Sequence, residues 1–247
     1  MAEWPQFANA PITEALLDIQ ARLPATIDLA RLATFQDAVK DRYPTRRERF
    51  AWQSGFQFKP GEAPAVLPPT GRPDGYLFTS SDGRQIVQVR LDGFTFNRLR
   101  PYDKWETFRD EARKHWERYR DIVTPEMISR VALRYINRIM IPFPIKDFRE
   151  YILTTPEIAP KVPQGLAGFF MRLVIPDERS RSVAIVTQTM EDLQEQVLPL
   201  IFDIDVFREG AFDVRGADTW EALEQLRGYK NEIFFNSITE KTKELFS

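Results

Sequence analysis

Three arginines, Arg130, Arg134 and Arg138, are the side chains whose type and spacing point most directly to chemistry. They fall in a stretch, residues 130–143, where apolar and other side chains alternate with a period of two, as is typical of a β-strand. On one face of a strand, three guanidinium groups could bind carboxylate or phosphate groups. The arginines also recur every four residues, so one face of a helix stays open as an alternative. The isoleucine, valine and tyrosine content favours the strand.

The opposite face of this stretch is apolar except for Asn137. A buried side-chain amide needs hydrogen-bond partners, so we expect a central strand in which Asn137 is a hydrogen-bond hub or part of a binding site. Glu14, near the start of the first predicted strand, is expected to pair with one of the three arginines. Such an ion pair fixes geometry more reliably than it adds stability.

A second group of candidates is acidic. Asp203 and Asp205 lie two residues apart on a predicted strand, and therefore on the same face, with Glu209 just beyond. Three carboxylates could hold Mg²⁺, which would allow a metal-dependent hydrolase. A solvated polar strand face gives the same spacing without a metal, and no lysine-containing nuclease pattern follows.

Several classes of chemistry are excluded by what the sequence lacks. It contains no cysteine and one histidine, His115, so disulfides, thiolate nucleophiles and conventional zinc sites are ruled out. Phosphate-binding loops, dinucleotide-binding glycine motifs, serine-hydrolase elbows and zinc-protease motifs do not occur. We therefore expect no cofactor and assign no catalytic residue, and an enzyme is less favoured than a binding protein.

An arginine-rich surface gives an alternative, nucleic-acid binding. Basic side chains precede an aromatic-rich strand, at Arg46, Arg47 and Arg49, and others line the helix that contains His115. Together with the three central arginines they could contact phosphates. The aromatic residues Trp52, Phe56 and Phe58 could stack on bases, although their alternation equally fits a core-facing strand.

The elements that must position these residues follow from periodicity and turn signals. Strands are predicted at 15–23, 48–58, 76–80, 85–91, 94–99, 130–143, 168–175, 182–189 and 198–207. Helices are predicted from Asp28 to about Arg42, after Asp103, near 146–153, after Asp218 and near the carboxyl end. Proline and glycine are frequent in residues 59–75, which predicts a long loop.

This order of elements predicts an α+β protein made of two pseudo-duplicated halves. Each half reads strand, helix, three strands, helix, and the mostly antiparallel sheets would pack against the helices. The halves would be residues 1–124, with the loop 59–75, and residues 125–247. One continuous domain is the alternative.

Four segments carry a resemblance to a known family. They are ANAPITEALLDIQ, PYDKWETF, RVALRYINRIMIPF and LEQLRGYKNEIFFNSIT. The chain resembles a sporadically distributed, uncharacterised family of bacterial proteins of about this length, which share a P-I-x-E-A start, an L-R-Y-I-N-R-I centre and a helical F-x-x-x-I-T close. Members often carry a histidine in the last long helix where this chain has Gly228 or Tyr229.

The resemblance implies no reaction, because the family has no established activity. Its patchy distribution is similar to that of mobile or defence-associated genes, including toxin–antitoxin-like loci. We therefore expect a non-enzymatic interaction protein with a protein partner or self-association, acting through its sheet faces or the proline-rich loop. The sequence shows neither a leader pattern nor a membrane-spanning run, so we expect a cytoplasmic protein with no membrane partner.

Overall fold

One open, antiparallel sheet of nine strands is formed in the computed structural model, which describes residues 4–57 and 65–247, and the side chains of 4–51 and 71–247. The first half contains β1 (Ile12–Arg22), α1 (Leu29–Ala33), α2 (Phe35–Val39), β2 (Thr45–Gln57), β3 (Ala65–Thr79), β4 (Gln85–Arg90), β5 (Gly93–Leu99) and α3 (Trp105–Val123). The second half contains β6 (Met127–Pro142), a 3-10 turn (Phe148–Glu150), β7 (Phe170–Asp177), β8 (Ser182–Met190), β9 (Val197–Phe212), α4 (Asp218–Ser237) and α5 (Glu240–Glu244).

The strands lie in the order β2-β3-β4-β5-β1-β6-β9-β8-β7, so β1 and β6 form the central pair. The arginine-containing stretch is therefore a central strand, as its sequence predicts. Its odd-numbered side chains, including Leu133 and Tyr135, are buried against the helices, whereas its even-numbered side chains lie on the other face. Asn137 is also buried on the helix side, where its Nδ2 donates to the carbonyl oxygen of Phe202 at 2.9 Å.

The helices pack against one face of the sheet through aromatic side chains. The apolar side of α3 is buried, and its Trp116 and Phe108 contact Phe94 and Phe96 of β5, respectively. On the other half, Phe234 of α4 stacks on a phenylalanine of β9 with ring centroids 6.0 Å apart. Burial of each such side chain contributes roughly 1.5–3 kcal/mol, so this layer supplies most of the stabilising burial.

The opposite face, which we call the open face, carries no helix in the part of the chain that the structure describes. It consists of the even-numbered side chains of β1 and β6 and of their register partners on the neighbouring strands. Several of these side chains remain partly exposed, including Arg134 with 46% of its side chain accessible. The predicted arginine face is thus part of the open face.

Two sequence predictions need correction. The strands form a single sheet and not separate sheets, because β1 and β6 pair directly. The predicted loop 59–75 is wrong for residues 65–75, which belong to β3 and pair with β2, whereas residues 59–64 lie outside the described residues. Prolines are tolerated there because Pro68 and Pro69 fall at a register shift, and because β4 pairs with β3 from Gly75 onward.

Smaller differences concern the helix ends. The helix predicted near 146–153 is a three-residue 3-10 turn. The helix predicted after Asp103 begins at Trp105, and the side chain of its N-cap residue, Lys104, makes no capping hydrogen bond. No described helix is both long and apolar enough to cross a bilayer.

Candidate functional site

The arginines of β6 are bound to carboxylates of the strands on either side. Arg134 donates from Nε and Nη2 to both oxygens of Asp203 on β9, at 2.9 and 2.6 Å. Arg130 lies between two carboxylates, with Nη1 3.4 Å from Asp18 of β1 and Nη2 3.6 Å from Asp205 of β9. The two strands that flank β6, β1 and β9, therefore place their carboxylates around its arginines.

The same arrangement continues beyond these pairs. Arg138 pairs with Glu191 at 2.7 Å, and the buried Arg90 of β4 donates to Asp18 at 2.8 Å. Glu14 differs from its prediction, because its carboxylate accepts a hydrogen bond from Asn97 Nδ2 at 2.6 Å and forms no ion pair with a described arginine. The amide of Asn97 replaces the guanidinium that the sequence predicted.

Burial and pairing shape the charges of this network. Burial raises the pKa of Asp205, even though Arg130 and Arg134 oppose this shift. The hydrogen bond to Asp203 raises the pKa of Arg134. Cations and carboxylates alternate along the open face, so the network is close to neutral and its main contribution is a fixed side-chain geometry.

The acidic candidates are not brought together as a metal site. Asp203 and Asp205 lie on one face, as predicted, but each is engaged by an arginine. Glu209 is exposed and lies opposite Arg130 in the strand register. Among the described residues, no group of three or more potential metal-ligating side chains is found.

The arginines that could contact nucleic acid are mostly occupied by internal partners. Arg49 pairs with Asp74, and the guanidinium of Arg46 lies 5.3 Å from the centre of the Tyr76 ring. On α3, Arg109 pairs with Glu224. Phe58, one of the proposed stacking residues, lies outside the described residues, as do the side chains of Trp52 and Phe56.

The open face becomes apolar toward β7, which is the last strand of the sheet. Phe170 and Val174 lie on this face with 70% and 55% of their surface exposed, and Ile175 on the other face is also exposed. The sequence predicts this strand but gives no sign that it lies at the edge. Whether a strand lies at the edge depends on the order of the strands in the sheet, and the residues of the strand itself do not reveal that order.

A second site, absent from the sequence-based candidates, surrounds His115. This residue is buried, and its Nε2 lies 3.0 Å from the Tyr43 hydroxyl and 3.2 Å from Oε1 of Glu111, one helical turn earlier. The Tyr43 hydroxyl in turn donates to Oε1 of Gln85 on β4. In the sequence, the one sign of this site is the four-residue spacing of Glu111 and His115, which places both side chains on the same face of a helix.

Glu111 and His115 each affect the pKa of the other. The hydrogen bond from His115, opposed by burial and supported by Arg42, lowers the pKa of Glu111 to about 2. Burial lowers the pKa of His115, although Glu111 opposes this effect. At neutral pH the pair therefore consists of a carboxylate and a neutral imidazole.

No protein-family model matches this chain, and no curated protein matches it either.

Proposed function

We propose that the protein is a non-enzymatic interaction protein that pairs with a second copy of itself through β7. The observation that carries this proposal is the exposure of apolar side chains on both faces of an edge strand, namely Phe170 and Val174 on the open face and Ile175 on the other. In a monomeric protein, an edge strand is normally protected from pairing with another chain by charged side chains, bulges or a covering loop.

The sequence of β7 lacks most of that protection. Between Phe170 and Pro176, the only charged residue is Arg172. The outer edge of the strand presents backbone donors and acceptors, and a second strand can satisfy them. Addition of a strand to such an edge is a common mode of protein recognition.

A second copy is the partner that fits this edge most directly. Antiparallel pairing of two β7 strands about a two-fold axis at Leu173 places Phe170 of one copy opposite Pro176 of the other. In the same register Arg172 faces Val174 and not another arginine. Like charges are thereby kept apart and apolar side chains meet, as a self-complementary interface requires.

The test is the oligomeric state of the wild-type chain and of Val174→Lys, measured by sedimentation equilibrium over a dilution series. We expect the wild type to have twice the mass of the 28.8 kDa chain, and the variant to be monomeric with an unchanged circular dichroism spectrum. The matched control is Leu153→Lys, which places the same charge at an exposed leucine outside the sheet and should leave the dimer intact.

Two results would reject the proposal. A wild-type chain that stays monomeric throughout the series would exclude self-association. A dimer that persists in Val174→Lys would place the interface elsewhere.

We also infer that the two halves of the chain are repeats of one unit. Support comes from the strand order, which runs β1-β5-β4-β3-β2 outward on one side of the sheet and β6-β9-β8-β7 on the other, so the two orders match apart from β2, an additional outer strand of the first half. In each half the strand that enters the centre comes first and a long helix follows the last strand, although in the second half the short α5 comes after that helix. If the halves are equivalent units, their order in the chain is exchangeable, which a circular permutant can test.

A further inference from the structure

The cleft beside His115 has the features of a small ligand site. It has a volume of about 230 Å³ and lies where the segment after α2 meets α3. Seven of the nine residues around it are polar or charged, namely Asp41, Arg42, Tyr43, Glu111, Lys114, His115 and Arg118. The open-face network and the β7 edge contribute none of these residues, so the cleft is independent of the proposed self-association.

The hydrogen bonds fix the tautomer of the imidazole. Arg118 Nη1 lies 3.3 Å from His115 Nδ1, and a guanidinium can only donate. Nδ1 of the neutral ring therefore accepts, and Nε2 carries the proton toward Glu111 and the Tyr43 oxygen. His115 thus holds one N–H group of Arg118 at the cleft.

The cations of the cleft exceed its anions. Arg42, Lys114 and Arg118 face two carboxylates, those of Asp41 and Glu111, so the lining has a formal surplus of one positive charge. Glu111 is engaged by Arg42 at 2.6 Å and by the His115 ring. Within the described part of the chain, Arg118 and Lys114 have no carboxylate partner.

We propose that this cleft binds a small oxyanion, inorganic phosphate or a phosphate monoester, between Arg118 and Lys114. Arg118 uses one of its five N–H groups on His115 and has others free to donate to the oxyanion. Lys114 lies one turn before it on the same helix and adds a second charge. Arg42, although also exposed, is engaged by Glu111 in an ion pair, which leaves the ligand's charge to Arg118 and Lys114.

The single histidine makes a direct experiment possible. In untagged protein the ring of His115 gives one set of histidine signals in a ¹H–¹⁵N spectrum, and these report on Arg118 through its contact with Nδ1. Inorganic phosphate is titrated at constant ionic strength. We expect saturable shifts of the ring signals, together with a rise in the pKa of His115, since a nearby anion favours the imidazolium.

Substitutions of the two cations test whether they bind the phosphate. Arg118→Gln and Lys114→Gln both alter exposed side chains and should preserve the fold. Each should weaken phosphate binding by about tenfold or more, because a charge-assisted hydrogen bond is lost. Arg113→Gln is the matched control, since this arginine of the same helix contacts Glu117 and Trp220, away from the cleft, and phosphate binding should be unchanged.

The proposal fails if phosphate produces no shift, or if sodium chloride at the same ionic strength produces the same one. It also fails if both cleft variants bind phosphate as tightly as the wild type and the Arg113→Gln control. Self-association through β7 is measured separately, so either proposal can fail without the other.

Discussion

Lys230 is a lysine of α4 whose ammonium nitrogen lies 4.0 Å from the centre of the buried Tyr135 ring. Burial, with a smaller contribution from the neighbouring Arg227, lowers its pKa to about 7. The unfolded chain would hold this proton up to the ordinary lysine value of 10.5. Between these two pH values the unfolded state binds more protons, so the Lys230 contribution to stability rises with pH.

We therefore predict that Lys230→Met increases the free energy of unfolding at pH 7 by about 1 kcal/mol. Removal of the buried charge stabilises the folded state, and loss of the cation–π contact with Tyr135 offsets part of this gain. The advantage of the variant should shrink as pH rises from 7 to 9.5. Urea denaturation of both proteins at several pH values measures this difference. Lys161→Met, an exposed loop lysine, is the control, and a pH-independent advantage would contradict the assignment.

Some residue-scale features could be predicted from sequence. Asn137 is buried and hydrogen-bonded as expected, because a polar residue within an apolar strand face must find partners. The partners of the arginines could not be predicted, since Asp18 and Asp203 come from strands far away in sequence. The His115 cluster was missed for the same reason, because Tyr43 and Gln85 reach it only through the tertiary fold.

At the scale of elements, α3 ends in a strained residue. Thr124 is its C-cap and adopts a left-handed conformation, with φ 43° and ψ 65°. This conformation is costly for a β-branched residue and is readily adopted by glycine. The Thr124 side chain is exposed, so its removal sacrifices little packing.

We predict that Thr124→Gly stabilises the protein by about 1 kcal/mol, equivalent to about 2–4 °C in melting temperature for a chain of this size. Differential scanning calorimetry measures the shift. Thr34→Gly is the matched control, since Thr34 is a C-cap in the right-handed conformation, where glycine should destabilise the protein. Equal effects of the two substitutions would show that backbone strain at Thr124 is not the cause.

Most elements were predictable because their signals are local. The alternation in β1, β4, β5, β6, β8 and β9 and the apolar stripe of α3 each lie within one short segment. Only the end of the long strand β3 was predicted, as the strand at 76–80, because prolines at positions 68, 69 and 73 are local signals of a loop. Pairing with β2 stabilises the extended backbone there, and that pairing is a tertiary property.

At the scale of the whole molecule, the α+β class followed from the order of elements, but the single sheet did not. Its continuity depends on the pairing of β1 with β6, two strands separated by more than a hundred residues. Both strands belong to the same buried cluster of side chains. The halves therefore share a core while each remains continuous in sequence.

The first described residues, from Trp4 to Asn9, lie beside the carboxyl end of the chain, which allows the order of the halves to be reversed. The backbone N–H of Asn9 donates to the carbonyl oxygen of Phe246 at 2.9 Å, and Trp4 stacks on Phe235 of α4. A short glycine–serine linker in place of residues 1–3 can therefore join residue 247 to residue 4. New termini at 124 and 125 fall in the connection between α3 and β6.

We predict that this permutant folds and unfolds in one cooperative transition, because it preserves every strand pair and breaks only the short connection between α3 and β6. Calorimetry tests this through equality of the calorimetric and van't Hoff enthalpies. A permutant opened within β6, between residues 132 and 133, is the control and should not fold, because it interrupts the central strand that pairs with both β1 and β9. Failure of the first permutant would contradict the exchangeable order of the halves, and two separate transitions would contradict the shared core.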